Sequence, residues 1–180
     1  MSAVQTERRD ERALGLDQHS SLDALGLLLD GQISAASSVR SALPQISTLA
    51  DAAARTIRRG GRLFYAAAGS SGLMALADAL EIPGTFGVRQ DRIVILFAGG
   101  VDALHDMVGG VEDDVVQAAA DVSIHGITSK DLLIALSASG TTPYALAAMK
   151  TAKKAGAQTA GIANNAGSPL LEHADFPILL

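Results

Sequence analysis

Several residue types are scarce or missing in this sequence, and each absence excludes a class of site. Cysteine is absent from the 180 residues. The chain therefore forms no disulfide, offers no thiolate to a metal and has no cysteine nucleophile. Aromatic residues make up only 3% of the chain, so the core has to be built from Ala, Leu, Ile and Val. Hydrophobic residues still make up 48%, which is typical of a compact globular domain.

Basic residues are also in short supply. The chain has 14 Lys and Arg against 19 Asp and Glu, a net charge of -5. Because nucleic acids bind to basic faces, we expect no nucleic-acid partner. Residues 1–12 lack a signal-peptide core, and the uncharged stretch 132–149 is interrupted by Gly140 and Pro143, so we expect a cytoplasmic protein without membrane contact. No spacing links the histidines to carboxylates, which predicts no metal site.

The chain length is that of one domain. The polar residues 1–20 are predicted to be a flexible N-terminal arm, and residues 21–180 a single domain. Within that domain, residues 21–60 are predicted to form helices over 21–29, over 33–42 and from Pro44 onward. Residues 61–180 are predicted to form an α/β core. The last apolar run reaches Leu180 without a cap or a turn, which leaves open whether this core is truncated there.

Short apolar runs alternate with helical patterns throughout the predicted core. The predicted strands are residues 63–67, 93–97, 132–136, 159–163 and 176–180. The predicted helices between them are residues 73–80, 114–122 and 143–155. This alternation predicts an α/β fold with a doubly wound parallel sheet, covered by helices on both faces. Ligands of such folds bind beyond the carboxyl ends of the strands.

Two strand-to-helix loops, residues 68–72 and residues 137–142, are rich in Ser, Thr and Gly. A helix N-terminus presents free N–H groups and partial positive charge, glycine allows close approach, and hydroxyls donate hydrogen bonds. We therefore predict a phosphate site. Its candidate residues are Ser70, Ser71, Gly72, Ser137, Ser139, Gly140 and Thr142. One such loop would be an ordinary hydroxyl-capped turn, but two after predicted strands favour phosphate binding.

Several stretches resemble the motifs of one superfamily and, within it, of one enzyme family. The pattern Ser137-x-Ser139-Gly140-x-Thr142 resembles the signature of sugar isomerase (SIS) domains. The stretches similar to bacterial N-acetylmuramic acid 6-phosphate etherases are residues 61–72, 78–87, 98–100, 111–114 and 139–144. The similarity is weak at residues 6–9 and strong over residues 61–168. It implies a flavodoxin-like three-layer αβα fold that binds a sugar phosphate without a cofactor.

The resemblance implies that Glu81 and Glu112 are the catalytic residues. In that family a base removes the proton next to the open-chain carbonyl, and an acid protonates the departing D-lactyl ether oxygen. Water then adds, giving N-acetylglucosamine 6-phosphate and D-lactate. Pro83 is predicted to leave Glu81 at a helix C-terminus, where a raised pKa suits the acid. Glu112 precedes a predicted helix, whose dipole favours the ionised base.

Other residues and other functions stay open. Asn165 follows the fourth predicted strand and is either a ligand contact or a turn residue. His105 is interpreted as a helix-surface residue, and the family's two arginines are replaced by Leu73 and Thr141. The alternatives to an etherase are a non-catalytic phosphosugar sensor and an aldose–ketose phosphosugar isomerase, whereas the acidic charge disfavours a DNA-binding regulator. The apolar faces of the N-terminal helices predict a homodimer.

Overall fold

The computed structural model describes residues 5–104 and 109–180, in which five strands form one sheet. The strands are β1 (Leu63–Ala67), β2 (Ile93–Phe97), β3 (Leu132–Leu136), β4 (Gln158–Ala163) and β5 (Phe176–Leu179). Their order is β2-β1-β3-β4-β5, and every pair is parallel. These pairings confirm the predicted parallel sheet. The physical reason is that five short apolar runs separated by helices have few other ways to bury both faces of each strand.

Helices cover both faces of this sheet. They are α1 (Ser21–Ser38), α2 (Leu43–Arg58), α3 (Gly69–Phe86), α4 (Val115–Ile124), α5 (Pro143–Lys154) and α6 (Pro169–His173). Apolar residues of α2 and α3 pack on one face, and those of α4, α5 and α6 pack on the other. The fold is thus the predicted three-layer αβα arrangement.

Strand β1 shows how the two layers share one sheet. Phe64 and Ala66 belong to the core under α4 and α5, whereas Tyr65 and Ala67 belong to the core under α2 and α3. Successive side chains of a strand point to opposite faces, so a strand buried on both faces has no polar position. This is why the central strands appear in the sequence as continuous apolar runs rather than as alternating patterns.

The predicted break between the first two helices is wrong. Residues 21–38 form the single helix α1, which runs through Gly31. An interior glycine costs a helix only about 1 kcal/mol, so it weakens the helix without ending it. The predicted start is confirmed, because the Ser20 side chain accepts a hydrogen bond from the Asp23 N–H. A short 3-10 turn, Val39–Ala42, then leads into α2.

Helix α3 differs from its prediction at both ends. It begins at Gly69, so Ser70, Ser71 and Gly72 form its first turn instead of a separate loop. It also continues through Pro83 to Phe86. A proline removes one helical N–H and crowds the preceding turn, which weakens this helix but does not end it. The helix ends where Gly87 adopts φ 64° and donates its N–H to the Pro83 carbonyl.

The N-terminal arm contains short helical turns in its described part. Three 3-10 helices lie there, at Gln5–Glu7, Glu11–Ala13 and Leu16–Gln18. The division into an arm of residues 1–20 and a domain of residues 21–180 stays a prediction, and residues 1–4 lie outside the described residues. Within the two described ranges, no helix is both long enough and apolar enough to cross a membrane.

Candidate functional site

The two Ser/Gly-rich segments meet at one point of the sheet. Strands β1 and β3 are neighbours, and Ala67 at the end of β1 pairs with Leu136 at the end of β3. The chain leaves β1 towards β2 on one side and leaves β3 towards β4 on the other. The segments after β1 and β3 therefore flank the crevice at the topological switch point, where folds of this kind bind ligands.

The first segment is a helix N-terminus. The hydrogen-bond ladder of α3 begins with the Gly72 N–H bonded to the Ala68 carbonyl, so the N–H groups of Gly69, Ser70 and Ser71 precede it. Ser70 is exposed and Ser71 is half-buried. Gly72 is buried, and a Cβ at this position would clash with the Phe97 ring, because it would lie only 2.7 Å from Phe97 Cδ2. Its glycine is thus required by packing against β2, whereas Ser70 and Ser71 remain accessible.

The second segment is held together by its own hydroxyls. Ser137 Oγ lies 2.7 Å from Thr142 Oγ1 and 3.2 Å from Ser139 Oγ, and it accepts the Gly140 N–H at 3.0 Å. Ser139 Oγ in turn accepts the Thr141 N–H at 3.2 Å and the Thr141 hydroxyl at 2.9 Å. The segment is therefore an ordered turn whose hydroxyls converge, which suits the recognition of a polar anionic group.

Gly140 is required in this turn by its conformation and by its surroundings. Its φ is 72°, a backbone conformation that residues with a Cβ rarely adopt. A Cβ would also collide with Ser168 and would lie 3.1 Å from the Ala163 Cβ. The buried Ser168 hydroxyl that stands behind Gly140 has no hydrogen-bond partner among the described residues. The sequence reading missed Ser168, which carries no local signal.

Asn165 supports the second segment from behind. It is only 6% exposed, and its Nδ2 donates to the Ser139 carbonyl at 3.0 Å and to the Thr6 hydroxyl at 3.0 Å. Its Oδ1 accepts the Thr6 N–H at 3.3 Å. The side chain therefore joins the N-terminal arm to the turn. Thr6 was not among the candidate residues, and its only signal was the weak similarity of residues 6–9.

Glu112 lies beside the first segment. It is an exposed residue of the 3-10 helix Val111–Asp113, just ahead of α4, as the prediction required. It lines a cavity of about 140 Å³ together with Gly69 and Ala98. The N-cap of α4 is Asp114, whose side chain accepts the Gln117 N–H at 2.8 Å. The Glu112 carboxylate is therefore free of a capping role and borders the crevice.

Glu81 lies elsewhere. It is exposed on α3, and the prediction that it ends the helix is wrong, because α3 continues to Phe86. The helix-dipole argument for its role as an acid therefore does not apply. Twelve residues separate it from Gly69 at the start of α3, which corresponds to about 18 Å along the helix axis. Within one chain, the structure does not bring Glu81 and Glu112 together.

The contact between Tyr65 and Asp78 confirms the position of Glu81 along the sheet. The Tyr65 hydroxyl, in the middle of β1, donates to Asp78 Oδ2 at 2.6 Å. Burial, followed by this carboxylate, raises the pKa of Tyr65 above its usual value. Asp78 is one helical turn before Glu81 on α3, a helix that runs away from the carboxyl edge of the sheet. Glu81 therefore lies beyond the middle of the sheet as seen from the crevice.

Charge around the second segment is sparse. Thr141 is exposed and Leu73 is half-buried at the positions where the similar family has arginine. Lys150 lines the same cavity of about 360 Å³ as Thr141, which puts one cation beside the turn. Within residues 5–104 and 109–180, no cluster of three or more His, Asp or Glu side chains could hold a metal. His105 lies outside the described residues.

A buried hydrogen bond joins α4 to α5 beneath the second segment. The fully buried Tyr144 donates its hydroxyl to Asp121, and the Asp121 carboxylate also accepts from Gln117. Burial and the Asp121 hydrogen bond raise the pKa of the Tyr144 phenol. The phenol therefore stays protonated and acts as a donor. This contact positions the first turn of α5, which directly follows the second segment.

Fold and site together define a doubly wound α/β domain with a hydroxyl-rich crevice at its switch point. The family model described as "SIS domain" matches residues 33–164. The chain therefore belongs to the SIS domain family, and the resemblance found in the sequence is confirmed.

Two curated relatives are similar to this chain over most of its length. The chain is 45% identical to "N-acetylmuramic acid 6-phosphate etherase" of Deinococcus radiodurans over 159 residues, which cover 88% of this chain and 52% of the relative. It is 39% identical to the protein of the same name from Mycolicibacterium smegmatis over 178 residues, which cover 99% of this chain and 60% of the relative. The chain thus spans 52% and 60% of the lengths of these two relatives.

Solved structures bear out the fold. A phosphoheptose isomerase from Francisella tularensis superimposes with a TM-score of 0.70 over 89% of this chain and 85% of that one. The two sequences are 22% identical, so this likeness concerns the fold alone.

Proposed function

We propose that this chain is a phosphosugar-binding lyase that cleaves the D-lactyl ether of N-acetylmuramic acid 6-phosphate, giving N-acetylglucosamine 6-phosphate and D-lactate. The observation that carries the proposal is the meeting of the two Ser/Gly-rich segments at the switch point, with Glu112 on the adjoining cavity. The names of the curated relatives support this choice of substrate. We further propose a cytoplasmic location, which suits a substrate that is a small phosphorylated metabolite.

The phosphate is proposed to bind between the two segments. Its proposed contacts are Ser70, Ser71, Gly72, Ser137, Ser139, Gly140 and Thr142. The N–H groups at the start of α3 and the dipole of that helix favour an anion, and the hydroxyls add hydrogen bonds. Asn165 completes the site by holding the Ser139 carbonyl. This arrangement binds a phosphate group without an arginine.

Glu112 is the proposed base. It removes the proton from the carbon next to the carbonyl of the open-chain sugar, and the electron pair forms a carbon–carbon double bond as the ether C–O bond breaks. The departing oxygen takes a proton from the acid, for which the proposed residue is Glu81, and D-lactate leaves. Water then adds across the double bond and restores the hydroxyl of the product.

Because Glu81 lies about 18 Å along α3 from Gly69, it cannot reach the crevice of its own chain. We therefore propose a homodimer in which Glu81 of a second copy meets Glu112. Large apolar side chains are exposed along α3, the helix that carries Glu81: Met74, Leu80 and Phe86 are 68%, 60% and 75% exposed. Helix α1 also exposes large apolar side chains, Leu25 and Leu29 among them. Such surfaces suit association with a second copy.

Subunit complementation tests both parts of the proposal. The wild-type chain is expected to release D-lactate from N-acetylmuramic acid 6-phosphate, and Glu81→Ala and Glu112→Ala are each expected to be inactive. Mixing the two inactive variants should restore activity, because one site of each mixed dimer then contains both glutamates. A mixture that stays inactive, although the wild type is active, would show that the glutamates do not meet across a dimer.

A phosphosugar sensor is the second candidate. The absence of arginine at Leu73 and Thr141 favours it, because these are the positions where a cation would contact the anionic substrate. A wild-type chain that gains thermal stability from N-acetylglucosamine 6-phosphate but releases no D-lactate would support the sensor. Conversion of an aldose phosphate into a ketose phosphate would instead support the isomerase, which needs only one carboxylate beside the carbonyl.

A further inference from the structure

The N-terminal arm is bonded to the candidate site by one side chain. Thr6 donates its N–H to Asn165 Oδ1 at 3.3 Å, and Asn165 Nδ2 donates to the Thr6 hydroxyl at 3.0 Å. The two residues are 159 positions apart in the sequence. A reciprocal pair of hydrogen bonds uses both the backbone and the hydroxyl of Thr6. It therefore depends on the identity of the residue as well as on the path of the arm.

Both polar atoms of the Asn165 side chain are hydrogen-bonded in this arrangement. Its Nδ2 carries two hydrogens, one donated to Thr6 and the other to the Ser139 carbonyl at 3.0 Å. The side chain is only 6% exposed while Thr6 is docked on it, so departure of Thr6 would remove both partners and uncover that side of the amide. The Asn165 amide would then exchange fixed partners for water and become free to reorient.

Reorientation of Asn165 would reach the phosphate segment through Ser139. The Ser139 carbonyl is held by Asn165, while its hydroxyl accepts both the N–H and the hydroxyl of Thr141. Ser139 Oγ also lies 3.2 Å from Ser137 Oγ. A continuous set of hydrogen bonds thus connects Thr6 to the hydroxyls proposed to bind phosphate. Ligand contact is not required of Thr6 for it to affect binding.

We propose that Thr6 is a positioning residue of the phosphosugar site, and that residues 6–20 form a strap whose docking on Asn165 orders the second segment. The inference rests on the proposed function for the ligand, a sugar phosphate. By linkage, docking of the strap and binding of the ligand favour each other to the same extent.

Binding of N-acetylglucosamine 6-phosphate to designed variants tests this role. Thr6→Val removes the hydroxyl and keeps the side-chain shape, and it is expected to weaken binding by about tenfold, the worth of one hydrogen bond. Thr6→Ser keeps the hydroxyl and should restore most of the affinity. The matched control is Thr48→Val, which removes an exposed hydroxyl that bonds to the Pro44 carbonyl within α2. Its affinity should equal that of the wild type.

Tryptic cleavage of the strap gives a readout that does not depend on catalysis. Arg8, Arg9 and Arg12 provide cleavage sites, and the ligand should slow cleavage there in the wild type. Thr6→Val should be cleaved faster without ligand and should lose most of the protection that the ligand gives. If the wild type turns over substrate, Thr6→Val should raise KM and leave kcat nearly unchanged, because the residue contacts no reacting atom.

The outcomes separate this inference from the function on which it rests. A wild type that binds the sugar phosphate, together with a Thr6→Val variant of equal affinity and equal cleavage, would overturn the strap and leave the site intact. A wild type with no affinity for the sugar phosphate would overturn the proposed function, and the strap with it. Weaker binding in Thr6→Val with rescue in Thr6→Ser supports the inference even where no D-lactate is released.

Discussion

Ser137 Oγ and Thr142 Oγ1 lie 2.7 Å apart, so the first and last hydroxyls of the second Ser/Gly-rich segment are hydrogen-bonded to each other. The segment is therefore closed on itself before a ligand binds. An anion entering the crevice can accept hydrogen bonds from hydroxyls that need only rotate, and the backbone does not have to move. Such preorganisation favours binding because little conformational entropy is lost.

Gly140→Ala should destroy this turn. The variant should lose more than about 3 kcal/mol of unfolding free energy, because a Cβ both strains φ 72° and collides with Ser168. Gly167→Ala is the matched control, since Gly167 has φ 69° but open space around the added Cβ. It should lose only about 1 kcal/mol. Urea unfolding measures both values, and equal losses would contradict the packing argument.

Thr141→Arg should strengthen phosphosugar binding. Thr141 is exposed at the second segment, and a guanidinium there can form charge-assisted hydrogen bonds with an anion. We expect about a tenfold lower Kd for N-acetylglucosamine 6-phosphate at low salt, with the gain shrinking as salt rises. Thr141→Gln is the uncharged control: it loses the same hydroxyl bond to Ser139 without gaining a charge, and it should bind no more tightly than the wild type. Unchanged affinity in Thr141→Arg would mean that the phosphate lies away from this residue.

Asp131→Asn should remove an acid-sensitive part of the stability. The 3% exposed Asp131 accepts from the Arg62 guanidinium at 3.0 Å and from the Arg62 and Thr128 N–H groups at 2.8 Å each. Burial acts to raise the pKa of Asp131, but the Arg62 side chain and the N–H groups outweigh it and hold the pKa below its usual value.

A depressed carboxyl pKa stabilises the folded state above the unfolded pKa, and this stabilisation is lost as the pH falls through the folded pKa. Asp131→Asn should therefore cost about 2 kcal/mol at pH 7, and the difference from the wild type should shrink below about pH 4. Asp91→Asn, which removes an exposed carboxylate paired with Arg89, should change nothing measurable. Urea unfolding between pH 3 and pH 7 tests this, and a difference independent of pH would contradict it.

Leu29→Glu should disrupt the proposed dimer. Leu22, Leu25, Leu29 and Ile33 form a stripe on one side of α1 and are 55% or more exposed, whereas the half-buried Ala24, Leu27 and Gly31 lie on the opposite side. A charge in a buried apolar contact is unfavourable, so light scattering should show a shift from dimer to monomer. The control is Ser34→Glu, which adds the same charge outside the stripe. A Leu29→Glu variant that keeps the dimer mass, as Ser34→Glu is expected to do, would exclude α1 from the interface.

The sequence alone determined the layers of this fold. Continuous apolar runs such as Leu63–Ala67 are short enough for strands and are separated by helical periodicity, so a parallel sheet covered on both faces follows. The position of the crevice also followed, because both Ser/Gly-rich segments come directly after strands. Local signals failed at Pro83, which was interpreted as a helix end, and between residues 29 and 33, where a break was predicted and α1 continues.

Only the tertiary structure decided how the site is assembled. The contact between Thr6 and Asn165 spans 159 residues, and no local pattern encodes such a pairing. Helix α3 runs away from the crevice and carries Glu81 about 18 Å along its axis from Gly69, although Glu81 and Glu112 had looked like one catalytic pair. Local propensity describes each segment by itself, whereas packing against the sheet sets where a helix ends and which side chains can meet. That is why the sequence could propose residues for the candidate site but not their geometry.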